Sequence, residues 1–312
     1  MIDRYNVGIN TSDGGDEMLK AATLSISQLV ELETLKQMEF EQAVNMRTST
    51  VLDVHRTFNR TDTIVPFQIN EAAHAPYQRQ EFFGKSLTLE KFRVGLEVSD
   101  ETYIRMDEAN QIINSITNAA ESFADSRDKN ILRSLIKGAG VSVDASAKWD
   151  SGSEDIAGDF GNLLHEVFKK PETNVRESEI SNITIYYPLM LLPYLKDYTK
   201  LTDASGKLQI NMSDFEYTGK TYGIRWIGSS KLNFVGKAIG VIKSNKTADH
   251  YTYIGDRIPA IENERDKKLG LNVMYMTKYQ GTFVYPQSYL QQNTNDRIML
   301  INSVCDPVSV TL

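Results

Sequence analysis

A helical pattern in the middle of the chain is long enough to limit the folds open to it. It begins at Ser99 or Asp100, either of which can cap a helix whose acidic first turn suits the helix dipole. Apolar side chains recur at three- and four-residue steps over Ala109–Leu135, and Gly138 and Gly140 end the pattern. At 1.5 Å per residue this helix would be about 55 Å long, whereas a mean helix has only about 11 to 12 residues. The pattern predicts a spine helix, longer than a compact domain of this size needs.

A strand pattern runs directly into this helix. Apolar side chains at 92, 94, 96 and 98 alternate strictly with polar residues or glycine, which predicts a half-buried strand. A weaker alternation covers Thr63–Ile69, where Pro66 permits only an edge or irregular strand. Between the two lies the polar stretch Asn70–Gln80 with Pro76. We interpret the whole region as an extended hairpin.

Before the hairpin, residues 16 to about 46 contain neither proline nor glycine and are rich in good helix formers. Leu29, Leu32, Leu35 and Met38 recur on one side, among several glutamates. The pattern predicts a charged helix with one apolar stripe. That stripe packs either on its own domain or, as an arm, on a neighbouring subunit.

The rest of the chain mixes short helix and strand patterns. We expect a loop from Gly140 to Ser153 and a tight hairpin at Tyr217–Ile224. The other predicted elements, in chain order, are a helix at Glu154–Lys170, a buried strand at Ile183–Tyr187, a short helix from Pro188 to about Thr199, a turn at Thr202–Gly206, a turn and strand at Gly236–Ile242, and strands in Leu271–Tyr285 and Arg297–Ile301.

Composition excludes several classes of protein. Hydrophobic residues make up 41% of the 312 residues, enough for a sizeable core. The formal net charge of −7 argues against a basic nucleic-acid binder, although a protein that merely encloses nucleic acid is compatible with it. Cys305 is the single cysteine, so no intrachain disulfide can form. With no signal peptide and no apolar run of about 20 residues, we expect a soluble protein made in a cytoplasm, with no membrane partner.

No residue pattern indicates an enzyme, a metal site or a cofactor. The four histidines and Cys305 lack metal-ligand spacing, and no Gly-x-Ser-x-Gly motif is present. Gly219-Lys220-Thr221 resembles the end of a phosphate-binding loop, but Asp214 stands where that loop needs glycine. We therefore expect no catalytic, cofactor-binding or metal-binding residues.

The order of the elements, together with several short motifs, resembles a known family. The motifs are Phe92–Glu101, where an alternating strand meets a helix start; Ser126–Leu132, near the helix end; Ile183–Pro188, followed by Leu195-Lys196-Asp197 and Gly206; Gly219–Gly223; and Phe283–Pro286. This arrangement is similar to the Hong Kong-type fold of the major capsid proteins of tailed phages and viruses, which encapsulins share. The likeness covers roughly residues 50 to 305, and the order of the motifs carries it. Gly219–Gly223 matches the hairpin that precedes the family's Gly-x-Pro-Val strand, although the proline of that strand is missing here.

The resemblance implies an α+β fold made of named parts. These are an N-terminal arm with a helix (1–55), an extended loop (56–91), a peripheral domain with the spine helix (92–151), an axial domain (152–240), and strands that return to the peripheral domain (241–312). A large N-terminal scaffolding domain is not evident. Either a separate protein acts as the scaffold, or the first helix partly takes that role, or this is a mature or scaffold-free form.

The resemblance also implies a function and partners. The chain would self-assemble into pentamers and hexamers that form an icosahedral shell around a double-stranded DNA genome, without sequence-specific DNA binding. It would be found in the virion and, during assembly, in the host cytoplasm. A scaffolding protein, a portal or a decoration protein are further partners. We expect the subunit interface to include Leu29, Leu35, Pro76, Phe82, Phe83 and Lys85.

Some family members join subunits through a lysine–asparagine isopeptide bond. Lys85 lies in the predicted loop and Asn293 or Asn295 late in the chain, but the family's cross-linking motif does not match residue by residue. We therefore do not infer this cross-link for the present chain. Two alternatives stay open: an encapsulin-like shell around a cargo enzyme, and an unrelated soluble enzyme whose site the sequence does not reveal.

Overall fold

The computed structural model describes residues 30–60, 81–99, 108–152, 155–170, 175, 179, 182–197, 210–211, 216–217, 225–254, 261–266 and 271–309. Several predictions concern residues outside these ranges. They are the arm up to Leu29, the strand at 63–69, the stretch at 70–80 with Pro76 and the turn at 202–206. Residues 218–224 of the predicted tight hairpin also lie outside, although Glu216 and Arg225 on either side pair antiparallel.

Helices and strands alternate irregularly along the described residues, as expected for an α+β fold. The helices are α1 (30–37), α2 (Glu108–Gly138), α3 (Ile156–Phe168) and α4 (Leu192–Asp197), with short 3-10 helices at Glu41–Ala43, Leu189–Leu191 and Ser230–Phe234. The strands are β1 (Asn45–Ser49), β2 (Asp53–Asn59), β3 (Phe82–Thr88), β4 (Glu90–Ser99), β5 (Ala139–Asp144), β6 (Ile183–Pro188), β7 (Ile210–Asn211), β8 (Glu216–Tyr217), β9 (Arg225–Ser229), β10 (Ala238–Ile242), β11 (Ala248–Tyr253), β12 (Ile261–Asp266), β13 (Leu271–Val284) and β14 (Asn295–Asn302).

The chain divides into two compact units. The first contains residues 1–38, 91–127 and 255–279. In it, β12 pairs antiparallel with the first part of β13, and β4 also pairs with β13. Its core consists of apolar side chains from α1, α2 and β13, with two half-buried residues of β4 packed against them: Val30, Ala119, Ala120, Phe123, Met276, Phe92 and Val94. The three- and four-residue spacing of the α2 members places them on one helical face.

The second unit contains residues 39–90, 128–254 and 280–312. Its main element is a seven-stranded sheet in the order β5-β14-β10-β6-β9-β8-β7. Every residue of β6 and β10 is buried, which explains why these strands read as continuous apolar runs. Helix α3 packs against β5 and β14 with the apolar face that contains Ile156, Leu163 and Val167. The same unit holds the parallel pair β1–β11, the antiparallel pair of β11 with residues 280–284 of β13, and the β2–β3 hairpin.

Most of the predicted elements are confirmed. A long helix is present as α2, with 31 residues, about 46 Å. The strand over 92–98 is β4, and residues 92 to 95 alternate between half-buried and exposed. The helix at 154–170, the buried strand at 183–187, the short helix after Pro188 and the strands near 238, 271 and 297 also agree with the structure. Ser99 is the last residue of β4, and residues 100–107, where the helix would start, lie outside the described residues, so the predicted helix cap at Ser99 or Asp100 stays a prediction.

The predicted end of the first helix, near Met46, is wrong. Helix α1 ends at residue 37, and β1 starts at Asn45. The reason is a distant carboxylate: Asp128 accepts hydrogen bonds from the backbone N–H groups of Glu39 (3.0 Å) and Phe40 (3.1 Å). Those N–H groups are therefore not available to carbonyls four residues earlier, and the helix cannot continue.

The predicted partners within the hairpin are also wrong. The hairpin pairs β2 with β3, from Asp53↔Thr88 to Asn59↔Phe82, whereas the alternating strand β4 pairs with β13 in the other unit. The loop predicted from Gly140 to Ser153 is in part the strand β5, which pairs parallel with β14. Both errors concern which distant strand supplies the hydrogen bonds, and local periodicity does not carry that information.

Candidate assembly surface

The two faces of the β2–β3 hairpin differ in burial. Since side chains alternate along a strand, every second residue of the pair points to the same side. The inner face is buried or half-buried and consists of Val54, Arg56, Phe58, Phe83, Lys85 and Leu87. The outer face is exposed and consists of Asp53, His55, Thr57, Asn59, Phe82, Gly84, Ser86 and Thr88.

Aromatic packing holds the inner face against the second unit's own strands. The Phe58 ring lies 5.5 Å from the Phe83 ring and 6.1 Å from that of Phe283. It meets Tyr285 edge-on at 5.8 Å, and Phe83 meets Tyr289 edge-on at 5.5 Å. Such edge-to-face and tilted pairs are each worth about 0.5–1.5 kcal/mol beyond the area they bury. The hairpin base is thus fixed within its own subunit.

Polar groups on the same inner face add directed contacts. Arg56 donates from Nε to the Tyr251 hydroxyl at 3.0 Å. The Lys85 ammonium donates to two backbone carbonyl oxygens, those of Val284 (3.0 Å) and Gln292 (2.8 Å). Burial lowers the pKa of Lys85 from its usual range. Both cations therefore orient the hairpin relative to β11 and β13.

A buried aspartate lies behind the Arg56 contact. Asp249 has no exposed side-chain surface and forms ion pairs with Arg47 at 2.5 Å and, more distantly, with Arg56 at 3.9 Å. It also accepts hydrogen bonds from Asn45 Nδ2 (3.1 Å) and the Tyr285 hydroxyl (2.6 Å). Burial, reinforced by the hydrogen bond to Asp249, raises the pKa of Tyr285. A buried carboxylate requires partners of this number, and they tie β1, β11 and the segment after β13 together.

The outer face carries one large apolar side chain among polar neighbours. Phe82 is 60% exposed, and its neighbours on this face are small or polar. Arg60 and Glu81, which flank the undescribed residues of the hairpin, form an exposed ion pair at 2.7 Å. A large aromatic side chain left in water on an otherwise polar face is a candidate contact for another molecule.

The sequence-predicted interface residues fall in different environments. Phe82 points outward, whereas Phe83 and Lys85 contact their own subunit. Leu35 is half-buried in α1, where the neighbouring Leu32 is 57% exposed. Leu29 and Pro76 lie outside the described residues. The structure thus separates Phe82 from Phe83, two adjacent phenylalanines that the sequence treats alike.

Sequence reasoning missed a second apolar surface in the second unit. Asn233 accepts from the backbone N–H of Met190 through its side-chain oxygen (3.1 Å) and from that of Val308 through its carbonyl (2.9 Å). Around these bonds lie exposed apolar side chains: Leu189, Met190, Phe234 and Val308. The apolar run that follows Pro188 was the available signal, but periodicity alone does not distinguish an exposed run from a buried one.

The described residues offer little for chemistry. Among them, no group of three or more histidine, cysteine or acidic side chains could hold a metal ion. Burial raises the pKa of Cys305 to about 11, so this thiol is a poor nucleophile at neutral pH. No helix in the described part of the chain is long and apolar enough to cross a membrane.

The fold is similar to that of solved viral and virus-like shells. Similarity to the virus-like particle from Pyrococcus furiosus covers 89% of this chain and 98% of that chain, with a TM-score of 0.55 at 8% sequence identity. Similarity to the capsid of an empty GTA particle covers 86% of this chain and 90% of that chain, with a TM-score of 0.57 at 12% identity. Similarity to the capsid of Myoviridae phage XM1 covers 84% of this chain and 90% of that chain, with a TM-score of 0.51 at 10% identity.

At these identities the similarity concerns the fold, and the chain has the fold of phage major capsid proteins. No known family model and no curated protein sequence matches it.

Proposed function

We propose that this chain is a structural major capsid protein, which self-assembles into pentamers and hexamers that build an icosahedral shell around a double-stranded DNA genome. The observation that carries the proposal is the similarity of fold to capsids and a virus-like particle, over 84% to 89% of the chain. The similarity to a virus-like particle and to capsids supports a structural protein that is not an enzyme. We place the protein in the virion, and in the host cytoplasm during assembly.

The proposal assigns a role to each part of the chain. Residues 1–55 form the arm, 56–91 the extended loop, 92–151 the peripheral domain with the spine helix, 152–240 the axial domain, and 241–312 the returning strands. Two pairings support this division: β2 with β3 in the loop region, and β4 with β13 in the unit that contains the first part of α2.

Within the shell, the outer face of the hairpin contacts a neighbouring subunit. Phe82 is its anchor, because aromatic side chains dominate the energetics of interfaces. The other interface residues are Leu29, Leu35, Pro76, Phe83 and Lys85. Phe83 and Lys85 act there by fixing the hairpin base, as their contacts within the subunit indicate.

The enclosed genome is held without sequence-specific contacts. A net charge of −7 supports enclosure over direct binding, since phosphate recognition needs clustered cations. A scaffolding protein, a portal or a decoration protein complete the assembly.

The test is the assembly state of the purified protein. We expect negative-stain images to show rings or closed particles, and light scattering to show their mass rising with protein concentration. Closed assemblies arise where heterologous contacts repeat around rotation axes. A species that stays monomeric across salt and concentration would contradict the proposal.

The encapsulin-like alternative has the same fold, and the likeness to the Pyrococcus furiosus particle keeps it open without favouring it. Particles isolated from cells separate the two functions by their contents. A particle with a cargo enzyme and no DNA would support the alternative.

A further inference from the structure

A recess of about 360 Å³ lies in the second unit, beside the hairpin base. Its walls include the apolar side chains of Leu87 and Phe283. Its polar groups come from Lys85, Ser134, Lys137 and Asn293. The exposed residue Ser86, on the outer face of the hairpin, also lines the recess.

The charges around the recess have one sign. Lys85 and Lys137 line it, and no aspartate or glutamate among the described residues does. Lys137 is exposed and makes no hydrogen bond or ion pair with any described residue.

Lys85 has a donor to spare. An ammonium group carries three N–H donors, and the carbonyls of Val284 and Gln292 accept two. Lys85 is held in place by these bonds and by the Phe283 ring, whose centre is 5.4 Å from Nζ. The recess is therefore lined by one ammonium group held by hydrogen bonds and one exposed ammonium group, together with the polar residues Ser134 and Asn293.

We propose that this recess receives the carboxylate of an aspartate or glutamate from a second copy of this chain. The inference rests on the proposed shell function, which brings copies into contact. Charge complementarity identifies the occupant: the recess is lined by lysines, and a neighbouring copy carries an excess of carboxylates, with 41 acidic against 34 basic residues. The apolar walls strengthen the pairing, because removal of water lowers the local dielectric constant.

Zero-length coupling of amines to carboxylates tests the proposal in assembled particles. Particles are grown from an equal mixture of ¹⁴N- and ¹⁵N-labelled wild-type protein and treated with a water-soluble carbodiimide, and the cross-linked peptides are identified by mass spectrometry. We expect an amide between Lys137 or Lys85 and an acidic residue, in peptides that combine both isotope labels. The same treatment of unassembled protein should not give this product. The inference would be overturned if neither lysine formed an amide with another copy in assembled particles.

A variant pair gives an independent measurement. Lys137→Met removes the exposed cation of the recess, and Lys246→Met removes another exposed lysine of the same unit that lies outside the recess. We expect Lys137→Met to raise the protein concentration needed for assembly roughly tenfold, as for one lost charge pair, and to reduce its salt dependence. Lys137→Arg should restore assembly.

Equal effects of Lys137→Met and Lys246→Met would overturn the inference. If wild-type protein forms no particles at all, the proposed function fails and the inference falls with it. If wild-type particles form without the cross-link, the inference alone fails.

Discussion

The guanidinium of Arg127 is fully buried and donates to both carboxylate oxygens of Glu31, at 2.6 and 2.8 Å. This bidentate pair joins α1 to α2 within the first unit. Lys278 of β13 contacts the same carboxylate, and its Nζ lies 5.3 Å from the Phe123 ring centre. A cation with no exposed surface depends on such a partner, so Glu31 controls how well this unit holds together.

Replacing Glu31 should therefore destabilise the subunit. Glu31→Gln removes the charge that balances Arg127, and loss of one partner of a buried pair costs about 3–5 kcal/mol. Because the Glu31 side chain is 33% exposed, we expect a smaller loss, about 2 kcal/mol, in the free energy of unfolding measured with urea. The matched control is Glu33→Gln, which removes only the exposed pair with Lys36 and should change stability by less than about 0.5 kcal/mol. Equal effects of the two substitutions would show that the Glu31–Arg127 pair adds nothing to the free energy of unfolding.

The same carboxylate should give the subunit an acid sensitivity. Burial opposes its ionisation, but the hydrogen bond and charge of Arg127, with Lys278, lower the pKa of Glu31 from 4.5 to about 2. A lowered folded-state pKa means that the contribution is complete above pH 4.5 and is lost as the pH falls toward 2. The stability difference between wild type and Glu31→Gln should accordingly shrink between pH 5 and about pH 2 in urea titrations. A difference that does not change over this range would contradict the assignment.

Phe82 and Phe83 should behave oppositely despite being adjacent. Phe82→Ala removes an exposed ring, so subunit stability should stay within about 0.5 kcal/mol of wild type while particle yield falls. Phe83→Ala removes a half-buried ring packed on Phe58 and Tyr289 and should lower subunit stability by about 1–3 kcal/mol. Thermal unfolding of the subunit and sedimentation of the assembly product measure the two effects separately. Unchanged assembly of Phe82→Ala would remove Phe82 from the interface.

Of two glycines with positive φ, Gly236 should tolerate replacement by alanine less well than Gly152. At Gly236 (φ +66°) an added Cβ would lie 2.6 Å from the Cys305 carbonyl oxygen, whereas at Gly152 (φ +76°) it would meet nothing within 4 Å. Gly152→Ala therefore isolates the conformational cost, about 1 kcal/mol, and Gly236→Ala adds a backbone clash. We expect Gly236→Ala to lower the urea midpoint clearly more than Gly152→Ala. The reverse order would mean that the turn before β10 adjusts freely.

Much of the fold could be predicted because it depends on local periodicity. The alternation of Phe92 and Val94 marks β4, and the three- and four-residue spacing from Ala119 to Leu135 marks α2. The unbroken apolar run of β6 marks a strand buried on both faces. In each case the side chains that must leave water recur with the period of the element, so a short stretch is sufficient.

Pairings between distant residues could not be predicted in this way. β1 takes its hydrogen bonds from β11, with Asn45 opposite Asp249, and no signal near Asn45 indicates that partner. The end of α1 depends similarly on Asp128, which lies far along the chain from Glu39 and Phe40. Strand register and such carboxylate contacts are set when the whole core packs.

The candidate assembly surface shows the same division between sequence and tertiary structure. The residues alone show that phenylalanines stand at 82 and 83 and that strand side chains must alternate in direction. They do not show which of the two points outward. The pairing of β3 with β2, and the packing of Phe58 on Phe283, turn Phe83 inward and leave Phe82 exposed. The orientation follows from packing between distant strands, because a shift of one residue in register would exchange the two faces.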